Sequence, residues 1–179
     1  GSIPDTTLTT ASGVRVFLAD TEHLFADDAG TPVPCSTCPS LKIEVTTVLD
    51  KGEIVSRGLP TTTFPDPIML ESAGLVKLRV TCNGNVLQLL SNRYLKVQIP
   101  DDAPKPGMQV FAERTDLNAK LAGWAVTGSE VYLADWPKPN DPGGVQTGYE
   151  LIVPTLGWTN CARPLNEQSS AFCVTLPEQ

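Results

Sequence analysis

Few residues in this chain carry reactive side chains, and their spacing limits the chemistry open to them. Cys35 and Cys38 stand three apart in "PVPCSTCPS", and Cys82, Cys161 and Cys173 complete a set of five. Such a pair can be half of a zinc site, a redox centre or a staple across a tight loop. A structural zinc site wants four ligands, from two such pairs or from one pair plus histidines. Here there is one pair and one histidine, so a four-thiolate set would require Cys161 and Cys173 to reach the Cys35 loop. A thioredoxin-like centre sets its pair at a helix N-terminus, where the dipole lowers the attacking thiol's pKa. Pro34 and Pro39 bracket this pair, with polar Ser36 and Thr37 between, which reads as a surface loop.

A nucleophile and base triad would have to use His23 in "EHLFAD", yet no serine stands in a Gly-x-Ser-x-Gly elbow. The twenty acidic residues show no spacing that singles out a pair for acid and base work, and they read as solvated surface charge. No catalytic residue is assigned. Hard oxygen donors occur in "ADDAG" (Asp27, Asp28) and "NDPGG" (Asn140, Asp141), glycine-containing loops of the kind that holds calcium in extracellular modules. Aspartate beside glycine is equally the mark of a plain turn, and calcium is the one cofactor considered. Trp136, followed by Pro137 in "DWPKPNDPGG", is expected to be exposed, either as a platform for a sugar ring or as part of a loop covering a sheet edge. Trp124 and Trp158 are expected to pack the core.

The elements that must position these residues are strands. Leu41, Ile43, Val45 and Leu49 share one phase in "LKIEVTTVL", with Lys42, Glu44 and Thr46 in the other, which writes a strand with one buried face. "LVKLRVTC" and "YLKVQIP" repeat the pattern, and "NGN" at residues 83–85 supplies a tight hairpin turn between residues 74–82 and 86–90. Shorter strands are predicted over 14–18, 108–113, 123–126, 130–134, 149–153 and 171–176. Sixteen prolines and fourteen glycines interrupt the chain too often for long helices, and only residues 50–58 suit a helical turn. The expected fold is all-β, an antiparallel β-sandwich with short strands and long loops. Gly1 and Ser2 read as a scar of tag removal, so residues 1–12 are taken as that scar plus an N-terminal extension and 13–179 as a single domain. A net charge of -7 has the wrong sign for nucleic acid or an anionic lipid surface. No apolar run approaches the roughly 20 residues of a membrane-spanning helix.

"DKGEIVSRGLPTTT", "MLESAGLVKLRVTCNGNVLQL", "VQIP", "GMQVF" and "LGWTNCARP" follow one another in an order and wording that resembles a family of uncharacterised cell-envelope proteins from Bacteroidota-type bacteria. The resemblance covers about residues 13–176. That family is distantly similar to the β-sandwich domain of ankyrins and netrin receptors, and "FADDAGTPV" fills the slot of its "D..G.P" segment. The resemblance implies an exported module, periplasmic or extracellular, with a lipid anchor at the outer membrane as one form of tether in the full-length protein, and no established activity. The partner is not identified by the sequence, and other envelope proteins or a surface glycan are the candidates considered. Some relatives of the wider fold cleave themselves at a His-Phe-Ser step, but His23 is followed by Leu24 and Phe25, so autoproteolysis is set aside.

The family pattern carries only the cysteine at Cys161, so the other four read as additions that staple this chain. An exported protein can keep disulfides because its compartment is oxidising. Cys82 falls in phase with Val76, Leu78 and Val80, and is read as a buried free thiol. Cys173 lies out of phase with Phe172, Val174 and Leu176, so it should face away from the core, where a partner from a loop can reach it. The expected bridges are Cys35 to Cys38 and Cys161 to Cys173. The function expected from all of this is a non-catalytic structural or scaffold module. The alternative is a carbohydrate-binding or adhesion module using the 135–144 loop.

Overall fold

The structure is a computed structural model that describes residues 5–165. Among the described residues thirteen strands follow one another: β1 (Thr6–Thr9), β2 (Arg15–Leu18), β3 (Phe25–Ala26), β4 (Leu41–Val48), β5 (Leu70–Cys82), β6 (Asn85–Val86), β7 (Gln88–Leu89), β8 (Leu95–Pro100), β9 (Gln109–Thr115), β10 (Leu121–Val126), β11 (Val131–Pro137), β12 (Val145–Val153) and β13 (Gly157–Pro164). One helix, α1 (Lys51–Ser56), is started by Asp50, whose side chain accepts the Glu53 N–H. The first sheet has the order β1-β2-β8-β12-β11 and the second β10-β9-β13-β5-β4, with β6 on β5; β3 and β7 form a small ribbon. Every strand pairing is antiparallel, and the two main sheets make an all-β sandwich.

Alternation builds the layer between the sheets. Val16, Leu18, Leu95, Val97, Ile99, Tyr149, Leu151 and Val153 face inward from the first sheet and meet Val76, Leu78, Val80, Val110 and Cys161 from the second. The β5 to β6 turn has Asn83 and Gly84 at positive φ (50° and 84°), as the "NGN" signal requires.

The second sheet carries a further apolar layer on its other face. Leu75, Phe111, Trp124 and Ala162 are buried there with Val48, Ile54 and Leu70, and Leu59, Leu121 and Trp158 pack against them. The cover is α1 together with residues 59–64, whose backbone pairs with Trp124: the Trp124 N–H reaches the Thr62 carbonyl at 3.2 Å, and the Phe64 N–H reaches the Trp124 carbonyl at 3.0 Å. The indole Nε1 of Trp124 donates to the Pro60 carbonyl at 2.7 Å. Gly123 is required beneath this cover, because a Cβ there would lie 2.7 Å from Phe64 Cβ and 2.9 Å from the Thr62 carbonyl oxygen. Asn160 sits opposite Leu75 and Phe111 in the strand register, fully buried, and neither atom of its amide has a hydrogen-bond partner.

Several expectations need correction. Cys82 does face the inner layer, but it is no free thiol: it is bonded to Cys38, with Cα atoms 5.8 Å apart. The expected Cys35 to Cys38 bridge is absent, because the 3-10 turn Cys35–Thr37 turns Cys35 into the core while Cys38 meets the end of β5. Cys35 and Cys161 are buried free thiols, and Cys173 and the strand expected over 171–176 lie outside the described residues. Residues 6–9, left to an extension, pair with β2 as the edge of the first sheet. "LGWTNCARP" becomes β13, the central strand of the second sheet.

Candidate functional site

The first sheet's outer face is where polar and aromatic side chains, half-buried except for Gln98 at 6% exposure, are assembled by the fold rather than by proximity in sequence. Arg15 and Phe17 on β2, Lys96 and Gln98 on β8, and Glu150 and Ile152 on β12 alternate with the inward residues of the same strands. Register then aligns them in two rows. One runs Thr9, Arg15, Gln98, Glu150, Tyr132 across five strands; the other runs Thr7, Phe17, Lys96, Ile152.

Hydrogen bonds fix the first row. Arg15 Nη1 donates to Gln98 Oε1 at 3.2 Å, and Gln98 Nε2 donates to Glu150 Oε2 at 2.8 Å, so the amide's orientation is set from both sides. Tyr132 donates its hydroxyl to Glu130. In the second row Lys96 Nζ lies 4.2 Å from the centroid of the Phe17 ring, with Arg15 Cζ at 5.0 Å. The same ammonium is 3.9 Å from Glu150 Oε2. Beside this row a hollow of about 380 Å³ is lined by Asp5, Thr6, Thr7, Phe17, Tyr94, Lys96 and Ile152 among others. Tyr94 is 61% exposed at its rim.

A second charged group closes the end of the other sheet. Glu71 accepts from Lys105 Nζ and from Arg163 Nε at 2.9 Å, with Lys51 Nζ at 3.7 Å. The hydrogen bonds from Lys105 and Arg163 push its carboxyl down to about 2. Arg163 also reaches the Pro106 carbonyl at 3.1 Å, and the backbone N–H of Lys105 donates to Tyr149 Oη at 2.6 Å. The cluster therefore ties the 101–107 loop to both sheets.

The residues singled out in the sequence fall elsewhere. Trp136 is the penultimate residue of β11, only 5% exposed, so the open platform expected of it is corrected. Its ring lies across Gly148, where a Cβ would stand 2.6 Å from Trp136 Cη2 and 2.2 Å from the Ile99 carbonyl oxygen. Trp124 is buried as expected, and Trp158 is half-buried with Lys77 Nζ at 5.7 Å from its ring.

Asp27 works as a turn former. Its Oδ1 accepts the Ala29 N–H at 3.0 Å and the Thr31 N–H at 2.8 Å, while Asp28 is exposed. Asn140 and Asp141 lie at the tip of the β11 to β12 hairpin, where the Gly144 N–H reaches the Asp141 carbonyl at 2.9 Å. Among the described residues no group of three or more His, Cys, Asp or Glu is arranged for a metal. His23 is exposed and its Nδ1 stands 2.8 Å from Asp20 Oδ1, a pairing that lowers the Asp20 carboxyl. The free thiols are held in their protonated form. Burial, then the nearby Asp101 charge, pushes Cys161 up to about 12, and burial raises Cys35, opposed by Thr21 and reinforced by Glu22.

Sequence reasoning missed the outer-face rows because each row joins residues as far apart as Arg15 and Gln98, 83 positions. The one signal available was the polar phase of "YLKVQIP", which contains Lys96 and Gln98. Comparison with known proteins finds no matching family model, no matching curated protein and no matching solved structure.

Proposed function

We propose that this chain is a non-catalytic scaffold or spacer module of an exported bacterial envelope protein. The observation that carries the reading is how its chemically capable side chains are used: they hold the module's own loops. Asp27 closes the 27–31 turn, Asp116 Oδ1 accepts the N–H groups of Asn118 and Lys120 at 2.7 and 3.0 Å, and Glu22 accepts both the Ser36 N–H and its hydroxyl. Glu71 gathers three cations at the sandwich end. The Cys38–Cys82 bridge fits an oxidising compartment outside the cytoplasm. No helix among the described residues is long and apolar enough to cross a membrane. The family resemblance supplies the envelope and a lipid anchor at the outer membrane, with other envelope proteins as the partners proposed.

Adhesion through the 135–144 loop loses its support, since Trp136 packs on Gly148 instead of facing solvent. Cell fractionation tests the main reading. Produced from its complete reading frame in a Bacteroidota host, the protein should partition with the envelope and carry the Cys38–Cys82 linkage. Recovery from the cytosol with all thiols reduced would overturn it.

A further inference from the structure

We propose that the Tyr94 hollow on the first sheet's outer face binds a neutral glycan. The inference goes beyond the scaffold reading and does not depend on it.

Three observations converge. Tyr94 is a large aromatic, 61% exposed, standing at the rim of a hollow of about 380 Å³ that is big enough for one or two sugar rings. An exposed ring of this kind offers an apolar surface to the C–H face of a pyranose and a hydroxyl to its polar edge. The lining is apolar in part as well, with Phe17 and Ile152 among its residues. Lys96 and Arg15 already lie against the Phe17 ring, so Tyr94 is left as the stacking surface.

The polar groups around the hollow supply both kinds of hydrogen bond. Lys96 brings an ammonium on a side chain that is 42% exposed, Thr7 brings a hydroxyl, and Asp5 brings a carboxylate whose Oδ1 already accepts the Asp20 N–H at 3.0 Å. A polyol needs this mixture of donors and acceptors, whereas a phosphate or sulfate needs donors only.

Charge selects the neutral class. In a chain of net charge -7, the hollow sets one cation, Lys96, against one anion, Asp5, and the row behind it sets Arg15 against Glu150. The face therefore exerts little net pull on an anionic or cationic polymer. Lys96 is also positioned before any ligand arrives, since it is held between Phe17 and Glu150, which reduces the entropy lost on binding.

Affinity electrophoresis through gels containing xylan, galactomannan, hydroxyethylcellulose, a β-1,3-glucan or starch tests the proposal, with heparin and polygalacturonate as anionic controls. At least one neutral polymer should retard the protein and the anionic polymers should not. Tyr94→Ala should weaken that retardation by about tenfold or more, the equivalent of about 1.4 kcal/mol, at an unchanged melting temperature. Lys96→Met should weaken it as well and stands in if the Tyr94 variant proves unstable. Passage through every neutral gel without retardation would overturn the proposal, as would retardation that both variants leave intact or that appears only with the anionic polymers. Envelope fractionation is read independently, so either proposal can fail alone.

Discussion

The two main sheets share one interior yet finish their outer faces in opposite ways. The second sheet buries Leu75, Phe111, Trp124 and Ala162 under α1 and residues 59–64, with Asn160 left without a partner there, and keeps the paired Glu44 and Arg79 outside that cover. The first sheet instead leaves rows of Arg15, Gln98 and Glu150 and of Phe17 and Lys96 uncapped by either apolar layer. The contrast separates labour within a single sandwich. The covered sheet has its stability set by area removed from water, and the uncovered one presents side chains whose order comes from cross-strand hydrogen bonds.

Substitutions can break that contrast, and the largest effects belong on the covered side. Trp124→Ala removes a fully buried indole and its bond to Pro60, and should cost about 3–5 kcal/mol in urea unfolding. A loss below about 1 kcal/mol would mean that the cover adds little. Reducing Cys38–Cys82, which spans 44 positions, should lower stability by up to roughly 4 kcal/mol by the chain-entropy argument. Peptide mapping without reductant should recover that linkage, and finding Cys35 joined to Cys38 instead would reject the assignment.

Glu71→Gln should cost about 2 kcal/mol near neutral pH, since hydrogen bonds to a charged group are lost and cations are left unpaired. The sign with pH follows from a carboxyl lowered from 4.5 to about 2 on folding. Its contribution is complete above the unfolded value and fades as pH falls toward 2, so wild type and variant should converge over that interval. Parallel pH profiles would rule out the cluster as its source. Asn160→Leu should stabilise by about 1 kcal/mol, because an amide with no partner is replaced by an apolar group of similar size; a lower melting temperature would show that the amide is satisfied in solution. Lys96→Met, on the uncovered sheet, should change stability by less than about 1 kcal/mol. An effect as large as that of Trp124→Ala would erase the distinction between the faces.

The same contrast explains what could be read from the sequence. β4, β5 and β8 were legible because apolar and polar residues alternate in them, and the helical turn expected within residues 50–58, kept short by Gly52 and Gly58, is α1. β13 was not, because Trp158, Asn160 and Ala162 face the outer apolar layer while Thr159 and Cys161 face the inner one, which leaves no polar phase. Trp136 was misplaced because Pro137 and the glycines after it look like loop, whereas the tryptophan belongs to the strand before them. Phase correctly turned Cys82 inward but carries no information about a partner 44 positions away. The outer-face site was the least legible part, since strand register alone creates it.

The place of β13 bears on how this chain can be made. Gly157–Pro164 lies between β5 and β9, whose nearest pairings with it, Leu78 with Gly157 and Ala112 with Thr159, span 79 and 47 positions, so the sheet's centre is its last part to leave the ribosome. Until then two long strands carry unpaired edges, the exposed condition that favours association with other chains. Synthesis from one end therefore yields no half-finished sandwich that can rest safely, and an unfolded chain held back until it is complete is the state best suited to passage across a membrane.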